Sequence, residues 1–370
     1  METLALLLVV PIAWPFIAKA IWKHELTVRE MAINLAVGIV LASGVWSAGR
    51  YAQTYDVEIL NGQVISKEKD QVSCDHSYSC NCKEVCSGSG QNRSCSTTCD
   101  TCYEHSYDYD WVLNTSLRES IKIARVDRQG LFEPERYRRA QPGDPVAMEH
   151  SFTNYRKASA TSLFNSSTKV PTTLPIPRYP NKVYDYHYVN RALTAGVTGI
   201  DFNAWNRDIA NTLRVLGPMK EANLVVVFAK TEDPMYADAL EQAWAYGKKN
   251  DVIVVIGTMD GQAVSWVRVI SWTDNQMFKV ALRDRLMEMQ TIDREPMMKA
   301  ISEEIKAGFK RKPNKDFEYL AKAIEPPGWV IFLAFFLSAA ASIGLSVYFS
   351  RNSETTGGYA SVRRSGSKFR

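Results

Sequence analysis

A chain of 370 residues is too long for one small module at roughly 150 residues per domain, and it allows a sizeable core. Its 46% apolar content is crowded toward the two ends, which excludes a wholly soluble chain and points to a membrane protein with a soluble middle. The net charge of +4 is spread along the chain apart from a basic tail at 350–370, so no nucleic-acid partner is indicated.

Residues 4–22 and 31–49 are apolar except for Lys19 and Asn34, and each matches the roughly 20 residues that a bilayer requires. The opening Met-Glu-Thr lacks the positive charge of a cleaved signal peptide, so 1–50 is expected to be a retained transmembrane helical hairpin. Pro11 and Pro15 are tolerated in a membrane, where neighbouring helices satisfy the freed carbonyls. A third span at 328–349 follows Pro326-Pro327, carries Trp329 and Tyr348 at its ends, and offers Ser338, Ala340, Ser342 and Gly344 as small contacts for another helix. Three spans place the loop 23–30 and the tail on one side and residues 50–325 on the other. The loop side carries Lys19, Lys23, Arg29, Arg351, Arg363, Arg364, Lys368 and Arg370 against nine flanking basic residues on the domain side. Long domains translocate largely regardless of charge, so the short loop and tail set the orientation. The expectation is a cytoplasmic tail, an extracytoplasmic main domain, and the lipid bilayer and other membrane proteins as partners.

Residues 51–155 form a predicted antiparallel β-rich domain. Asn61-Gly62 between two β-prone runs signals a hairpin turn, and further strands are expected at 109–113, 121–126 and 146–152. Inserted among them, 74–105 holds Cys74, His76, Cys80, Cys82, Cys86, Cys95, Cys99, Cys102 and His105. A short Gly/Ser-rich loop has no core of its own and needs cross-links or a metal. The spacings Cys99-x-x-Cys102-x-x-His105 and Cys80-x-Cys82 suit structural zinc, and eight of the nine donors would fill two closed sites. An oxidising exterior favours disulfides in the same loop, with one thiol left over. Both alternatives stay open. The alternation Tyr107, Asp108, Tyr109, Asp110, Trp111 suggests an edge strand with its acids in water. A Ser/Thr/Pro-rich connector follows at 156–181, and Asn92, Asn114 and Asn165 head glycosylation sequons.

From 182 to 311 the periodicity becomes that of an α/β layer domain. A helix is predicted from Asp201 to a stop at Gly217-Pro218, then a buried strand at 224–229, a helix capped by Asp233 and Pro234, and a second buried strand at 252–256. A third strand at 263–272 and helices around Phe278–Met289 and Met297–Phe309 complete it. Leu224-Val225-Val226-Val227-Phe228, Tyr236-Ala237-x-x-Leu240, Trp244-x-Tyr246-Gly247-Lys248-Lys249 and Asp251-Val252-Ile253-Val254-Val255-Ile256 resemble the TPM-domain family over about residues 200–300. The glycine-rich stretch usual in that family after the second strand pair is missing, since 264–272 contains no glycine. The resemblance implies a membrane-tethered extracytoplasmic domain used in assembly, repair or maintenance of membrane complexes. It further implies the calcium binding and phosphatase activity attributed to some members, with Glu232, Asp233 and Asp251 as the positions onto which a cation role carries.

No phosphate-binding loop, nucleophile elbow or His-Glu-x-x-His motif is present, and His150 and His187 stand alone beside aromatics. The segment 312–327 is expected to be a juxtamembrane helix, with the basic run Lys306 to Lys315 facing anionic lipid. These readings favour an interaction or assembly protein over an enzyme. The alternatives are a TPM-like phosphate-ester hydrolase and a metal- or redox-responsive membrane protein.

Overall fold

A computed structural model describes residues 2–22, 26–87, 94–117, 119–159 and 170–357. In chain order the elements are α1 (Glu2–Ile21), α2 (Val28–Thr54), β1 (Tyr55–Val72), β2 (Ser77–Ser87), β3 (Ser94–Tyr103), β4 (Asp108–Thr115) and β5 (Ile121–Ile123). There follow α3 (Glu135–Arg139), β6 (Pro145–Thr153), α4 (Tyr155–Ala158), β7 (Ala192–Ala195), α5 (Phe202–Lys220), β8 (Asn223–Ala229) and α6 (Met235–Ala243). The chain ends with β9 (Asp251–Gly257), β10 (Trp266–Ser271), α7 (Gln276–Glu288), α8 (Arg294–Gly308), a 3-10 helix (Asn314–Ala323) and α9 (Gly328–Gly357). Lys23 in the short loop, the sequon residues Asn92 and Asn165, and the tail residues Arg363, Arg364, Lys368 and Arg370 lie outside the described residues.

The chain divides into two compact units, the first made of Met1–Asp56, Ser151–Thr168 and Asn314–Arg370. Its helices α1, α2 and α9 are each long and apolar enough to cross a membrane, with mean hydropathies of 2.2, 1.8 and 2.3. Thr27 and Glu30 close a capping box that starts α2. The buried face of α2 is Asn34, Gly38, Ala42 and Trp46, one residue per helical turn. A Cβ on Gly38 would lie 2.5 Å from the Cβ of Pro11, so glycine is what lets α1 and α2 touch there. On α9 the buried face is Ser338, Ser342, Ser346 and Ser350, whereas Ala340 and Gly344 face outward. The expected small-residue set therefore splits, because residues two apart on a helix cannot share a face. The Asn34 amide donates to Ser342 O at 2.9 Å and Ser346 Oγ at 2.8 Å, giving this polar side chain a partner inside an apolar bundle.

The second unit consists of Val57–His150 and Lys169–Pro313. Its first sheet is antiparallel in the order β5-β4-β1-β6, over a core of Val64, Trp111, Leu113, Ile123, Tyr137 and Val146. Contrary to the hairpin expectation, β1 runs straight through Asn61-Gly62. Neither residue takes a positive φ, and the Asn61 amide donates to Ala222 O at 3.1 Å and to Asn223 Oδ1 at 3.2 Å, so tertiary partners override the local turn preference. The acids of β4 also reverse the expectation. The strand lies between β1 and, over Trp111–Leu113, β5, and Asp108 and Asp110 are buried at 0% and 4% exposure on the face opposite Trp111 and Leu113.

The second sheet has the order β10-β9-β8-β7; β7, β8 and β9 are parallel and β10 is antiparallel to β9. The four-residue β7 was not legible as a strand in the sequence. Helices cover both faces of the sheet: α5, α7 and α8 pack against Leu224, Val226 and Phe228, while α6 packs against Val225 and Val227. Since β7, β8 and β9 advance in one direction with α5 and α6 on opposite faces, the two crossovers have opposite hand. One of them is left-handed, against a strong general rule. The chain leaves α6 through Ala245, Tyr246 and Gly247 at φ 47°, 69° and 69°. Two non-glycine residues in that region cost about 1–3 kcal/mol each, and the Trp272 indole donating to Tyr246 O at 2.6 Å helps to hold them. Gly247 is required there, since a Cβ would meet Asp251 Oδ2 at 2.8 Å.

Residues 170–181, in the expected connector, pack on the α/β domain. Leu174, Ile176 and Tyr179 lie on the α6 face, and the Trp244 indole donates to Pro177 O at 2.8 Å. Helix α5 continues past Gly217-Pro218 to Lys220 and ends on Glu221 in the left-handed region. Gly217 serves a close approach: a Cβ would lie 1.9 Å from Asn61 O. Gly217→Ala is therefore expected to destabilise the folded chain by about 3 kcal/mol or more, measured as a lowered unfolding midpoint of the detergent-solubilised protein.

Candidate functional site

Three places in the second unit gather chemistry. The first is the hairpin β2–β3, paired from Ser77↔Tyr103 to Ser87↔Ser94 with an irregularity between Cys80 and Lys83 where Asn81 has φ 49°. Disulfides join Cys80 to Cys102, Cys82 to Cys99 and Cys86 to Cys95, leaving Cys74 as the free, buried thiol. A sulfur in a disulfide is not a thiolate ligand, so the two closed zinc sites expected from the nine donors lose most of their ligands. The side chains of β2 are exposed except Cys80 and Cys86, which are half-buried. A two-stranded hairpin without a core is marginal alone, so the cross-links replace the core.

At the foot of this hairpin lies a compact polar cluster. Cys74 Sγ is 3.7 Å from His105 Nδ1, and the same nitrogen is 3.1 Å from Asp108 Oδ1. Arg125 reaches Asp108 Oδ2 at 2.9 Å and Asp110 Oδ1 at 2.7 Å, and Asp75 N donates to Asp108 Oδ2 at 3.2 Å. Burial pushes the Asp108 carboxyl up, but the Asp75 N–H, the His105 ring and the Arg125 guanidinium outweigh it and hold the group below its ordinary value. Asp110 behaves likewise, with burial opposed by Lys122 and Arg125. A nucleophilic triad needs the two imidazole nitrogens for two different partners. Here thiol and carboxylate meet one nitrogen, so His105 cannot relay a proton between them. Sequence reasoning found Cys74, His76 and His105 but missed Asp108 and Arg125. The signal available was a pair of acids two residues apart, with an arginine downstream in a β-rich stretch.

The second place is a buried polar band where β1 meets the α/β layers. Glu58 has no exposed surface, and its Oε1 accepts from Arg311 Nη2 at 2.5 Å and lies 3.4 Å from Lys249 Nζ and 3.0 Å from His150 Nδ1. Burial works against the charge on Arg311, but Glu58 and Glu221 outweigh it and raise its pKa; for Lys249 burial prevails over Glu58 and lowers it. Further along β1, Asn61 accepts from the buried Arg191 guanidinium, and Arg191 Nε donates to Asn223 Oδ1 at 3.0 Å. Burial brings Arg191 down to about 9. Asp251 completes the band. Its Oδ1 accepts from Asn223 Nδ2 at 2.9 Å, its Oδ2 accepts from the Tyr179 hydroxyl at 2.7 Å and Lys248 N at 2.7 Å, and burial still raises it to about 6.

This placement separates the acids expected to share a cation. Asp251 pairs with Asn223 at the start of the parallel strands, while Glu232 and Asp233 follow Ala229 at the other end, roughly 20 Å away for a seven-residue strand. Asp233 instead accepts from Met235 N at 2.9 Å to begin α6. The basic run before the third span is also partly committed inside the protein, since Arg311 bonds Glu58 and Glu221 and Lys312 pairs with Asp274. The sequon residue Asn114 donates to Ser66 Oγ at 3.1 Å and Glu68 Oε2 at 2.8 Å.

The third place is a cavity of about 630 Å³ beside β7, lined by Arg178, Lys182, Tyr184, Tyr188, Asn190 and Asn206 among others. Its described lining carries cationic, phenolic and amide groups and no carboxylate, histidine or cysteine. Comparison with protein families, curated proteins and solved structures finds no match to this chain.

Two outcomes follow from these geometries. Asp251 rises from 3.8 unfolded to about 6 folded, so the native state binds the extra proton between those values and stability falls as pH rises through that window. Asp251→Asn should remove this slope, and wild type should lose about 2.5 kcal/mol relative to the variant between pH 4 and 7 in matched unfolding experiments. Reduction of the disulfides should release amide exchange across Ser77–Ser87 and Ser94–Tyr103 while β4, β8 and β9 stay protected, as read by hydrogen-exchange mass spectrometry.

Proposed function

We propose that this protein is a membrane-anchored interaction protein that holds its disulfide-stapled hairpin out as the contact arm for assembly or maintenance of a membrane complex. The observation that carries this reading is the hairpin itself. Tyr78, Val85 and Tyr103 are 52%, 55% and 58% exposed on a ladder that three disulfides keep rigid. Rigid aromatic side chains on a preorganised element lose little entropy on binding. Disulfides persist in oxidising compartments, which supports an extracytoplasmic main domain and a cytoplasmic tail. The resemblance to the TPM-domain family agrees with this role. The Tyr236-Ala237 helix, the Gly247 turn and the two continuous apolar strands support reading 200–300 as a TPM-like module. The hydrolase alternative draws no support from the acids, which lie at opposite ends of the strands.

Site-specific photo-crosslinkers in place of Tyr78 and Tyr103, used in native membranes, should give a discrete adduct with another protein. A crosslinker at Met277, exposed on α7, should not. Adducts at Met277 alone, or none at the hairpin positions, would sink the interaction reading.

A further inference from the structure

We propose that Cys74, His105 and Asp108 form a mononuclear site for zinc or a closely similar divalent transition metal at the foot of the hairpin. Their three donor atoms lie within 4.8 Å of one another, with separations of 3.7 Å for sulfur to nitrogen and 3.1 Å for nitrogen to oxygen. A tetrahedral ion with zinc–sulfur and zinc–nitrogen bond lengths spaces its donors by roughly 3.3–3.6 Å, and the two separations straddle that range. The Cys74 thiol also reaches the Asp108 carboxylate, so each of the three donors is in contact with the other two. Without a metal, the Cys74 thiol turns its own proton to His76 O at 3.7 Å.

The surroundings are those of a ligand set. Asp75 N and Arg125 Nη1 both bond Asp108 Oδ2, which leaves Oδ1 facing His105. Arg125 is itself fixed by Asp110 at 3.0 Å and 2.7 Å. Outer partners of this kind orient a ligating carboxylate. Thiolate, imidazole and carboxylate together select zinc over calcium or magnesium, which take all-oxygen shells. Two anionic ligands balance the ion's charge, and three protein ligands leave a fourth position, with His76 beside the same Asp108 carboxylate. The arrangement also gives a role to the seventh cysteine. Cys74 is the one cysteine outside the three disulfides, and its buried sulfur faces this cluster. The inference stands independently of the interaction role proposed above.

The test is titration of cobalt(II) into the full chain, purified in detergent without reductant, with intact mass checking that all three disulfides remain. The expected result is one equivalent bound with a thiolate-to-cobalt charge-transfer absorption that zinc bleaches by displacement. Cys74→Ser should abolish that absorption, and His105→Gln should weaken binding beyond the roughly 10–100-fold that loss of an outer partner costs. Absence of the absorption in wild-type protein with its disulfides intact would overturn the proposal, as would its persistence in Cys74→Ser. The wild-type reading decides the matter even if a variant fails to fold.

Discussion

Glu58 sits without exposed surface on β1, and its carboxylate is met by Lys249 after α6, by Arg311 after α8 and by His150 on β6. A carboxylate taken out of water alone costs several kcal/mol, so these distant stretches of chain must arrive together or the strand cannot be buried. The same strand places Asn61 against Arg191 and Asn223, and Asn223 passes the contact on to Asp251. One strand of the antiparallel sheet therefore carries two polar anchors into the α/β layers. Apolar packing tolerates sliding; directed hydrogen bonds do not. The band thus sets how the two sheets of this unit meet, at a cost in desolvation that the large apolar cores offset.

The strained turn after α6 belongs to the same arrangement. Ala245, Tyr246 and Gly247 adopt left-handed geometry so that Lys248 can donate to Asp251 and Lys249 can reach Glu58. Strain persists where surrounding contacts over-determine it, and here the Trp272 and Trp244 indoles supply them. The strained turn and the polar band meet at the entry to β9, where Lys248 and Lys249 leave the turn to contact Asp251 and Glu58.

The cysteine hairpin follows a different logic. It gains almost nothing from burial, and its shape comes from covalent bonds and from the foot that anchors it. That foot is Arg125 with Asp75, Asp108 and Asp110, and the two acids of β4 lie on the face opposite the core residues Trp111 and Leu113.

Hydropathy and period alone determined much of this protein: three apolar helices, a β-rich stretch around a cysteine insert, and an α/β layer with two fully buried strands. These features were legible because each follows from runs of neighbouring residues. The tertiary structure decided the rest, wherever a residue's role depended on a distant partner. Asn61-Gly62 looked like a turn and became mid-strand because Ala222, Asn223 and Arg191 claim the amide. Asp108 and Asp110 looked solvated and are buried because Arg125 neutralises them. Asp251 looked like a neighbour of Asp233 and lies at the opposite end of the parallel strands, because sequence distance along a strand–helix–strand unit does not measure distance in space. The pairing of the cysteines likewise came only from the register of β2 on β3, which sets which sulfurs face each other across the ladder.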